Sequence, residues 1–302
     1  MIHGIINIYK EKGYTSHDVV AKLRRIVNQK KIGHTGTLDP DAEGVLPVCF
    51  GKGTKLCDLL TDKNKAYEAV LVLGKETDTQ DTSGTILNEY EISVSKAEVE
   101  EAIFSFIGEY AQIPPMYSAL KVNGKKLYQL ARAGIEVERK ARKVRIMDIQ
   151  ILEIDLPRVR IRVSCSKGTY IRTLMYDIGR KLECGGCLDM LLRTQVGTFH
   201  IQDSYKLDEI EKMVAKGEID AVVTPLDAMF PYPSIVIWDK YAQIAYNGDV
   251  VCLEHIKPTE SKGVIKGPVK LYNEKRQFIG IYAYDEEKDY YKLVKMFFSF
   301  QT

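Results

Sequence analysis

A proline-rich segment divides the chain. The nine residues PLDAMFPYP contain Pro225, Pro231 and Pro233. Proline has no backbone N–H group and restricts its own φ angle, so neither a long helix nor a central strand can run through this segment. The chain has 302 residues, more than the roughly 100–200 residues of an average domain. The sequence therefore predicts two domains, residues 1–230 and residues 231–302.

Short apolar runs and amphipathic segments both occur in the larger predicted domain. Length and β-branched content predict strands at residues 67–73, 144–154 and 159–165. Helical spacing predicts helices at residues 17–29 and after Ser95, where Glu98 completes a capping-box pattern. These elements predict an α+β fold around a mixed or antiparallel sheet. The short strand-like runs after residue 231 predict a small β-barrel-like module.

Cysteine and histidine form no metal-ligand pattern in this sequence. Cys184 and Cys187 make one C-x-x-C motif, but no second pair at zinc spacing accompanies it. Six cysteines in a chain of this size predict reduced thiols rather than a disulfide scaffold. The two glycines between Cys184 and Cys187 predict a tight turn before a helix, and we expect residues 188–192 to form a short helical piece.

The segment GHTGTLDPDAEG, residues 33–44, presents one aspartate, Asp39, between glycine turns and beside a proline. An aspartate in such a turn is most often structural, because its carboxylate accepts local backbone N–H bonds. The glycines also permit close approach of another backbone or of a ligand. A carboxylate presented in this way can act as a nucleophile without a metal ion. The sequence GKGTK at residues 51–55 lacks the upstream glycine of a phosphate loop, which argues against nucleoside triphosphate binding.

Residues 121–145 are the most basic part of the chain, with nine lysines and arginines against two glutamates. An isolated basic run is often only a solvated surface. Here Tyr117, Tyr128 and the pair Pro114-Pro115 lie within or beside the run, which favours an arm that follows nucleic-acid phosphates. The net charge of +2 by itself decides neither interpretation.

Two further residues each have a structural and a functional interpretation. Tyr67 begins an apolar run, so it is either a core aromatic of a strand or a surface on which a base stacks. Arg172 opens a helix in the stretch GTYIRTL. It could pair with a surface acid, or it could hold the Asp39 carboxylate or a phosphate in bidentate fashion.

Six stretches, in order along the chain, resemble the bacterial tRNA pseudouridine-55 synthases of the TruB family. They are KEKGYTSHDVV (10–20), GHTGTLDPDAEGVLPV (33–48), KAYEAVLVLGKETDTQDTSG (65–84), IPPMYSALKVNGKKLYQLARAG (113–134), SKGTYIRTLMYDIG (166–179) and LLRTQVGTF (191–199). Two motifs depart from the family pattern. Its Gly-Gly-His is Gly185-Gly186-Cys187 here, and its Leu-Arg-Arg-Thr is Leu191-Leu192-Arg193-Thr194. The second departure removes one positive charge, so weaker RNA-backbone contacts are expected there.

The resemblance implies an α+β pseudouridine synthase domain around a mixed sheet, an RNA-gripping arm at about residues 112–143 and a C-terminal module similar to the PUA RNA-binding barrel. It implies Asp39 as the catalytic aspartate, Tyr67 as the residue that stacks on the target base, and Arg172 as the partner of the catalytic carboxylate. It implies His34 as a loop residue that packs against RNA. The remaining substrate-binding positions that it implies are Asp81, Leu191, Lys125, Lys126, Arg142 and Lys143.

The resemblance also implies the reaction, in which uridine 55 in the T loop of tRNA is flipped out and isomerised to pseudouridine. No cofactor and no metal ion are implied. The expected partner is tRNA, bound by a monomer that needs no other protein and that could also assist tRNA folding. The first residues lack a signal-peptide pattern, and no apolar stretch reaches the ~18 residues of a membrane helix. A cytoplasmic enzyme is therefore expected.

Three other interpretations stay open at this point. One is a guide-RNA-dependent rRNA pseudouridine synthase subunit of the related archaeal and eukaryotic type, against which the bacterial-type arm and the lack of a long basic tail argue. Another is an RNA-binding or RNA-folding protein without catalysis, which the set Asp39, Tyr67 and Arg172 disfavours as the sole role. The third is an unrelated metal- or nucleotide-dependent enzyme, disfavoured by the incomplete zinc and phosphate-loop patterns.

Overall fold

The computed structural model describes residues 1–122, 124–258 and 264–298. It divides the chain into two compact units, Met1–Val222 and Val223–Thr302. The division falls before the proline-rich segment rather than inside it. Residue 123 of the predicted arm and residues 259–263 and 299–302 of the predicted C-terminal domain lie outside the described residues.

A mixed sheet forms the centre of the larger unit. The strands of this unit are, in chain order, β1 (Gly4–Lys10), β2 (Ile32–His34), β3 (Glu43–Phe50), β4 (Lys65–Leu73), β5 (Lys75–Thr77), β6 (Ile86–Glu89), β7 (Gly108–Gln112), β8 (Lys121–Val122), β9 (Lys125–Lys126), β10 (Arg142–Asp155), β11 (Arg158–Cys165), β12 (Gly186–Val196) and β13 (Phe199–His200). The main sheet has the order β1-β3-β12-β4-β11-β10-β7, with β2 beside β3 and β13 beside β12. Two small hairpins, β5–β6 and β8–β9, stand apart from it.

One parallel pair makes this sheet mixed. Strands β3 and β12 run parallel, with Glu43 opposite Leu192 and Gly44 opposite Arg193. The other pairs in the sheet are antiparallel. Strand β4 lies between β11 and β12 in the sheet, so the connection from β11 to β12 crosses β4. The predicted α+β fold around a mixed sheet is confirmed.

Six helices are described in the larger unit. They are α1 (Ser16–Ile26), α2 (Cys57–Thr61), α3 (Lys96–Phe104), α4 (Leu127–Arg132), α5 (Ile171–Lys181) and α6 (Leu207–Lys216). The predicted capping box at Ser95 and Glu98 is confirmed, because each side chain bonds to the other residue's backbone N–H. Thr15 and Asp18 form a second capping box that starts α1. Helix α5 provides the crossover between β11 and β12, and it buries Leu174, Met175 and Ile178 in the core of the sheet.

The prediction of a helical piece at residues 188–192 was wrong, because these residues belong to strand β12 in the middle of the sheet. Register shifts between Leu188 and Met190 and between Arg193 and Gln195 break the alternation that would mark a strand. The turn in Cys184-Gly-Gly-Cys187 follows helix α5 and leads into a strand, so the expected helix after it was also wrong. A Cβ added at Gly179 would lie 2.3 Å from the Gly186 nitrogen, so glycine permits the helix to contact the strand backbone directly.

The described residues of the smaller unit form a five-stranded half-barrel sheet and one α-helix. Its elements are β14 (Ser234–Val236), α7 (Ala242–Asn247), β15 (Val251–Cys252), β16 (Pro268–Tyr272), β17 (Phe278–Asp285) and β18 (Tyr290–Met296), in the sheet order β14-β16-β17-β18-β15. Strands β14 and β16 are parallel, and the other pairs are antiparallel. Tyr282 and Tyr291 are buried in its core. The predicted small β module is confirmed.

The helices of the described residues are short, the longest having 11 residues. None of them is both long and apolar enough to cross a membrane. All six cysteines are free thiols.

The parallel pairing of β3 and β12 makes Gly44 a sensitive position. Its φ angle is +104°, and an added Cβ would lie 2.2 Å from the Arg193 carbonyl oxygen. We expect Gly44→Ala to lower the free energy of unfolding by about 3 kcal/mol or more, measured by chemical denaturation. Gly217→Ala is the matched control, because its φ is +75° but no atom lies within 4 Å of an added Cβ. The control should lose only about 1–2 kcal/mol of left-handed strain, and equal losses for both variants would contradict the steric argument.

Candidate active site

Backbone contacts hold the loop between β2 and β3 in one shape. The N–H and the hydroxyl of Thr35 both donate to the Pro47 carbonyl at 3.2 Å. The Leu38 N–H donates to the Ser16 hydroxyl at 2.9 Å, which ties the loop to the start of α1. At the tip, the Ala42 N–H donates to the Asp39 carbonyl at 3.1 Å. The loop therefore presents the Asp39 side chain from a backbone that is bonded on both sides of it.

A buried lysine, Lys10, donates a hydrogen bond to the same loop. Lys10 is fully buried, and its ammonium group donates to the carbonyls of Tyr14 at 2.6 Å, Pro40 at 3.0 Å and Glu11 at 3.1 Å. Burial lowers the pKa of Lys10 to about 8, although the nearby Glu43 and Asp39 carboxylates oppose this shift. Lys10 thus serves the loop as a charged donor of three hydrogen bonds.

Arg172 contacts the Asp39 loop and two other segments. Its Nε lies 2.9 Å from Asp39 Oδ2, and its Nη1 lies 3.6 Å from Asp81 Oδ2. The guanidinium also donates to the Thr79 carbonyl at 2.9 Å and to the Tyr117 carbonyl at 2.8 Å. The Arg172 side chain is 7% exposed, whereas the Asp39 side chain is 46% exposed. The ion pair therefore has a buried cation and an anion that solvent or a ligand can reach.

A cleft of about 510 Å³ opens beside this ion pair. Loops, the strands of the sheet and the start of α5 all contribute to its walls. The residues whose positions matter here are Asp39, Tyr67, Arg172, Leu191, Arg142, Lys143, Tyr170, Lys65 and Arg193. Its volume is within the ~300–1,000 Å³ usual for small-molecule sites, so one nucleotide-sized group can enter.

Two buried polar side chains lie in the wall of the cleft. Tyr67 on β4 is 7% exposed, and burial raises its pKa to about 12. Arg193 on β12 is 1% exposed and lies opposite Tyr67 in the β12–β4 pairing. Lys65, also in the wall, donates to the Lys63 and Thr61 carbonyls at 2.7 and 2.9 Å. Burial, assisted by the Arg193 charge, lowers the pKa of Lys65 to about 8.

The structure brings together most of the residues that the sequence singled out. Six of them line the cleft, namely Asp39, Tyr67, Arg172, Leu191, Arg142 and Lys143. Asp81 lies behind Arg172, with its side chain 23% exposed. Its carboxylate accepts hydrogen bonds from Thr79 at 2.7 Å and from Ser83 at 2.6 Å.

Besides Asp81, three predicted residues lie outside the cleft wall. Lys125 and Lys126 form β9 of the small β8–β9 hairpin. His34 ends β2, where its ring is half-buried and meets the His17 ring edge-on at 5.6 Å between centroids. Burial lowers the pKa of His34, and the His17 and Arg193 charges add to this. The structure therefore places a largely neutral imidazole near the loop but not in the cleft.

Sequence reasoning did not find two polar groups of the site. Arg193 was noted only as the remaining arginine of a changed motif, and no pattern indicated that its charge would be buried. Gln112 was noted only as the start of the arm. It is 1% exposed and brackets the Tyr170 peptide, accepting from the Tyr170 N–H at 2.8 Å and donating to the Tyr170 carbonyl at 3.0 Å. Within the described ranges, no cluster of His, Cys, Asp and Glu could hold a metal ion.

The lowered pKa of Lys10 gives a prediction about stability. An unfolded lysine has a pKa near 10.4, so between pH 8 and about 10 the unfolded chain binds more protons at this residue than the folded chain does. Stability from Lys10 should therefore rise with pH across this window. The unfolding free energy of wild type minus that of Lys10→Met should become more positive as pH increases from 8 to 10, measured by urea titration at each pH. A difference that stays constant or shrinks would contradict the buried-ammonium interpretation.

Comparisons with known proteins agree with this architecture. The model of the TruB family pseudouridylate synthase N-terminal domain matches residues 24–171, and the model of the tRNA pseudouridylate synthase B C-terminal domain matches residues 172–231. A tRNA pseudouridine synthase B from Lachnoclostridium phytofermentans is 50% identical over 98% of this chain and 100% of that protein. The protein of the same name from Geobacillus thermodenitrificans is 42% identical over 93% of this chain and 94% of that protein.

Solved structures share the fold. A chain in the archaeal box H/ACA sRNP Nop10–Cbf5 complex has a TM-score of 0.69 and 26% identity, covering 98% of this chain and 86% of that one. A chain in an H/ACA RNP bound to a substrate RNA containing 2′-deoxyuridine has a TM-score of 0.71 at 24% identity with the same coverage. Both domain models match in sequence order, and the relative from Lachnoclostridium phytofermentans covers almost the whole chain. This chain therefore belongs to the TruB family of pseudouridylate synthases.

Proposed function

We propose that this synthase isomerises uridine 55 in the T loop of tRNA to pseudouridine, with Asp39 as its catalytic group and without a cofactor. The relatives are tRNA pseudouridine synthases B, which supports tRNA as the substrate. The observation that carries the proposal for Asp39 is its position. A bonded loop presents the half-exposed carboxylate to the cleft, and a buried guanidinium lies 2.9 Å from it.

The reaction needs one well-placed carboxylate. Isomerisation breaks the N1–C1′ bond, rotates the base and joins C5 to C1′, with no net oxidation and no net addition of water. Asp39 either forms a bond to the nucleotide or removes a proton from the sugar and stabilises the resulting intermediate. In both routes the Nε of Arg172 keeps one carboxylate oxygen in a fixed direction. The other oxygen is then directed toward the substrate.

The target base has to leave its stack to reach Asp39. Extruding a nucleotide costs a few kcal/mol of stacking and pairing. We propose that the Tyr67 ring stacks on the flipped base, since base–aromatic stacking stabilises by ~1–3 kcal/mol, and that Leu191 forms an apolar wall of the pocket. Asp81 holds Arg172 from the side away from Asp39, at 3.6 Å. Its proposed role is to position that guanidinium.

The cations of residues 112–143 are proposed to grip the T-arm backbone. Lys125, Arg142 and Lys143 are exposed, and Lys126 is partly exposed. Arg142 and Lys143 are in the cleft wall, so phosphates beside the flipped nucleotide can reach them. His34 is proposed to pack against the RNA at the β2 end of the loop, as a largely neutral ring with an apolar face.

The remaining predictions complete the proposed function. Residues 1–230 are proposed as the catalytic domain and residues 231–302 as a PUA-like RNA-binding domain. The enzyme is proposed to act in the cytoplasm as a monomer, without an obligatory protein partner and without a metal ion. A role in assisting tRNA folding is compatible with the same contacts, because gripping the T arm and flipping a base require local opening of the RNA.

Asp39→Asn tests the catalytic assignment, because it keeps the size of the side chain and removes the charge. We expect single-turnover pseudouridine formation on a T-arm hairpin to fall by at least about 10³-fold, assayed with EDTA present. RNA affinity should stay within about tenfold, or ~1.4 kcal/mol. Asp41→Asn, an exposed aspartate of the same loop, is the control and should retain near wild-type rates. Near wild-type product from Asp39→Asn would remove Asp39 from catalysis.

The wild-type protein in the same assay distinguishes the proposed function from the other interpretations. Product formed by the purified chain alone argues against dependence on a guide RNA or a partner protein. Product formed in chelator argues against a metal-dependent reaction. If wild type binds the hairpin but forms no product, an RNA-binding role without catalysis is favoured instead.

The proposed RNA arm predicts a change in salt dependence. Replacing Lys125, Lys126, Arg142 and Lys143 together by Gln should weaken binding and reduce the slope of log K against log salt. Each lost phosphate contact accounts for roughly 0.7–0.9 of slope. The control replaces Lys30, Lys96, Lys212 and Lys216, four exposed lysines outside the cleft, and changes the net charge by the same amount. An equal slope for both quadruple variants would exclude the arm from the RNA contact.

A further inference from the structure

Arg193 is a fully buried cation whose side chain meets no carboxylate within ion-pair distance in the described parts of the chain. Its Nε donates to the Val45 carbonyl at 2.7 Å, and its two Nη atoms make longer contacts of 3.4 and 3.5 Å to the Gly36 and Thr37 carbonyls. It lies opposite Tyr67 in the antiparallel pairing of β12 with β4. Burying a charge costs several kcal/mol even after relaxation, so an isolated guanidinium needs a compensating role.

The place of Arg193 is set by the backbone of the sheet. Strands β3 and β12 pair in parallel at Gly44 and Arg193, and the missing Cβ of Gly44 lets the two backbones approach. From this point the Arg193 side chain reaches under the Asp39 loop on one side and to Tyr67 on the other. It is also part of the cleft wall. One buried side chain therefore joins the loop that carries the carboxylate to the proposed platform for the base.

The two arginines of the cleft differ in their counter-charges. Arg172 lies against two carboxylates, those of Asp39 and Asp81. Arg193 donates only to backbone carbonyls in the described chain, so its charge is offset by dipoles alone. Lys65, whose Cε lies close to Gly36, adds a second cation in the wall without a carboxylate within 4 Å in the described chain. Arg193 and Lys65 therefore give this part of the cleft a positive electrostatic potential that no carboxylate within 4 Å in the described chain neutralises.

We propose that Arg193 is a positioning residue for the isomerisation, whose unpaired charge stabilises the uracil that is released when the glycosidic bond breaks. The inference rests on the proposed function. When the N1–C1′ bond breaks, its electron pair stays on N1, and the base becomes an anion with charge shared by O2 and O4. C1′ receives an electron pair either from a carboxylate oxygen of Asp39 or from the C2′–H bond as Asp39 takes that proton. C5 then bonds to C1′. In the first route this displaces the Asp39 oxygen from C1′, and in the second Asp39 returns its proton to C2′ as the C1′–C2′ double bond is consumed. The proton on C5 is then lost and N1 gains one, so atoms and electrons balance.

Arg193 meets the electrostatic requirements for this role. The charge on the base exists only between bond breaking and recombination, and a preorganised cation in a site without water stabilises it more strongly than water would. Tyr67 is the link, because its ring is the proposed stacking surface and it is the cross-strand neighbour of Arg193 in the β12–β4 pairing. The guanidinium bonds to the loop carbonyls hold Arg193 in one geometry beside Tyr67, so the anion forms beside a cation that does not need to move.

Leaving-group chemistry tests this proposal. Fluorine at C5 makes the departing uracil less basic, so a 5-fluorouridine target depends less on an external cation for bond breaking. Single-turnover consumption of the target nucleotide is measured on T-arm hairpins that carry uridine or 5-fluorouridine, by nuclease digestion and chromatography. For Arg193→Met we expect a loss of about 10²-fold or more with uridine, and a loss at least about tenfold smaller with 5-fluorouridine. Arg193→Lys, which keeps the charge, should recover a large part of the uridine rate.

Two controls keep this result separate from folding and from the proposed function. Arg25→Met removes an exposed arginine of α1 and should leave both rates unchanged. If Arg193→Met loses the same factor with both substrates while wild type is active, Arg193 is only structural and this inference is overturned. If Arg193→Met does not fold, the same comparison is made with Arg193→Gln, which is neutral but can still donate to the loop carbonyls, and an equal loss on both substrates then overturns the inference. If wild type itself leaves uridine unchanged, the proposed function has failed instead.

Discussion

The contact between Arg172 and Asp39 organises the site, because the same guanidinium also bonds to segments from other parts of the chain. It joins the Asp39 loop to the Thr79 carbonyl near the β5–β6 hairpin and to the Tyr117 carbonyl at the start of the arm. The position of Arg172 depends on where helix α5 lies. Close packing of the helix on β12 at Gly179 determines that position. The geometry of the Asp39 carboxylate therefore depends on a helix–sheet contact outside the cleft.

Two buried arginines support the site in different ways. Arg172 is largely neutralised by Asp39 and Asp81, so it contributes direction rather than free charge. In the described chain Arg193 is offset only by carbonyl dipoles, so it contributes charge as well as direction. If Arg193 rather than Arg172 had the two carboxylate partners, no cation would hold the Asp39 carboxylate in place. The charge of Arg193 would then also be neutralised. The division follows from which strands bring acidic residues near each guanidinium.

Local motifs in the sequence predicted a large part of this site. Asp39, Tyr67, Arg172 and Leu191 lie in stretches that can be recognised by themselves, and the structure places all four around one cleft. Strand β12 was missed because two bulges interrupt its alternation. The burial of Arg193 was missed because it results from the parallel pairing of β12 with β3, two strands that lie about 150 residues apart in the chain. Such long-range pairing leaves no local periodicity to detect.

The different exposure of the two partners in the central ion pair has a chemical consequence. The Arg172 side chain is 7% exposed and the Asp39 side chain 46% exposed, so water still solvates the carboxylate before substrate binds. A flipped base that enters the cleft removes this water. The fall in local dielectric strengthens the attraction between Asp39 and Arg172 at that moment, and it would likewise strengthen the proposed attraction between Arg193 and the base anion that forms later. The free-energy cost of desolvating Arg172 and Arg193 is therefore met during folding. The Asp39 carboxylate loses the rest of its water only when the substrate binds.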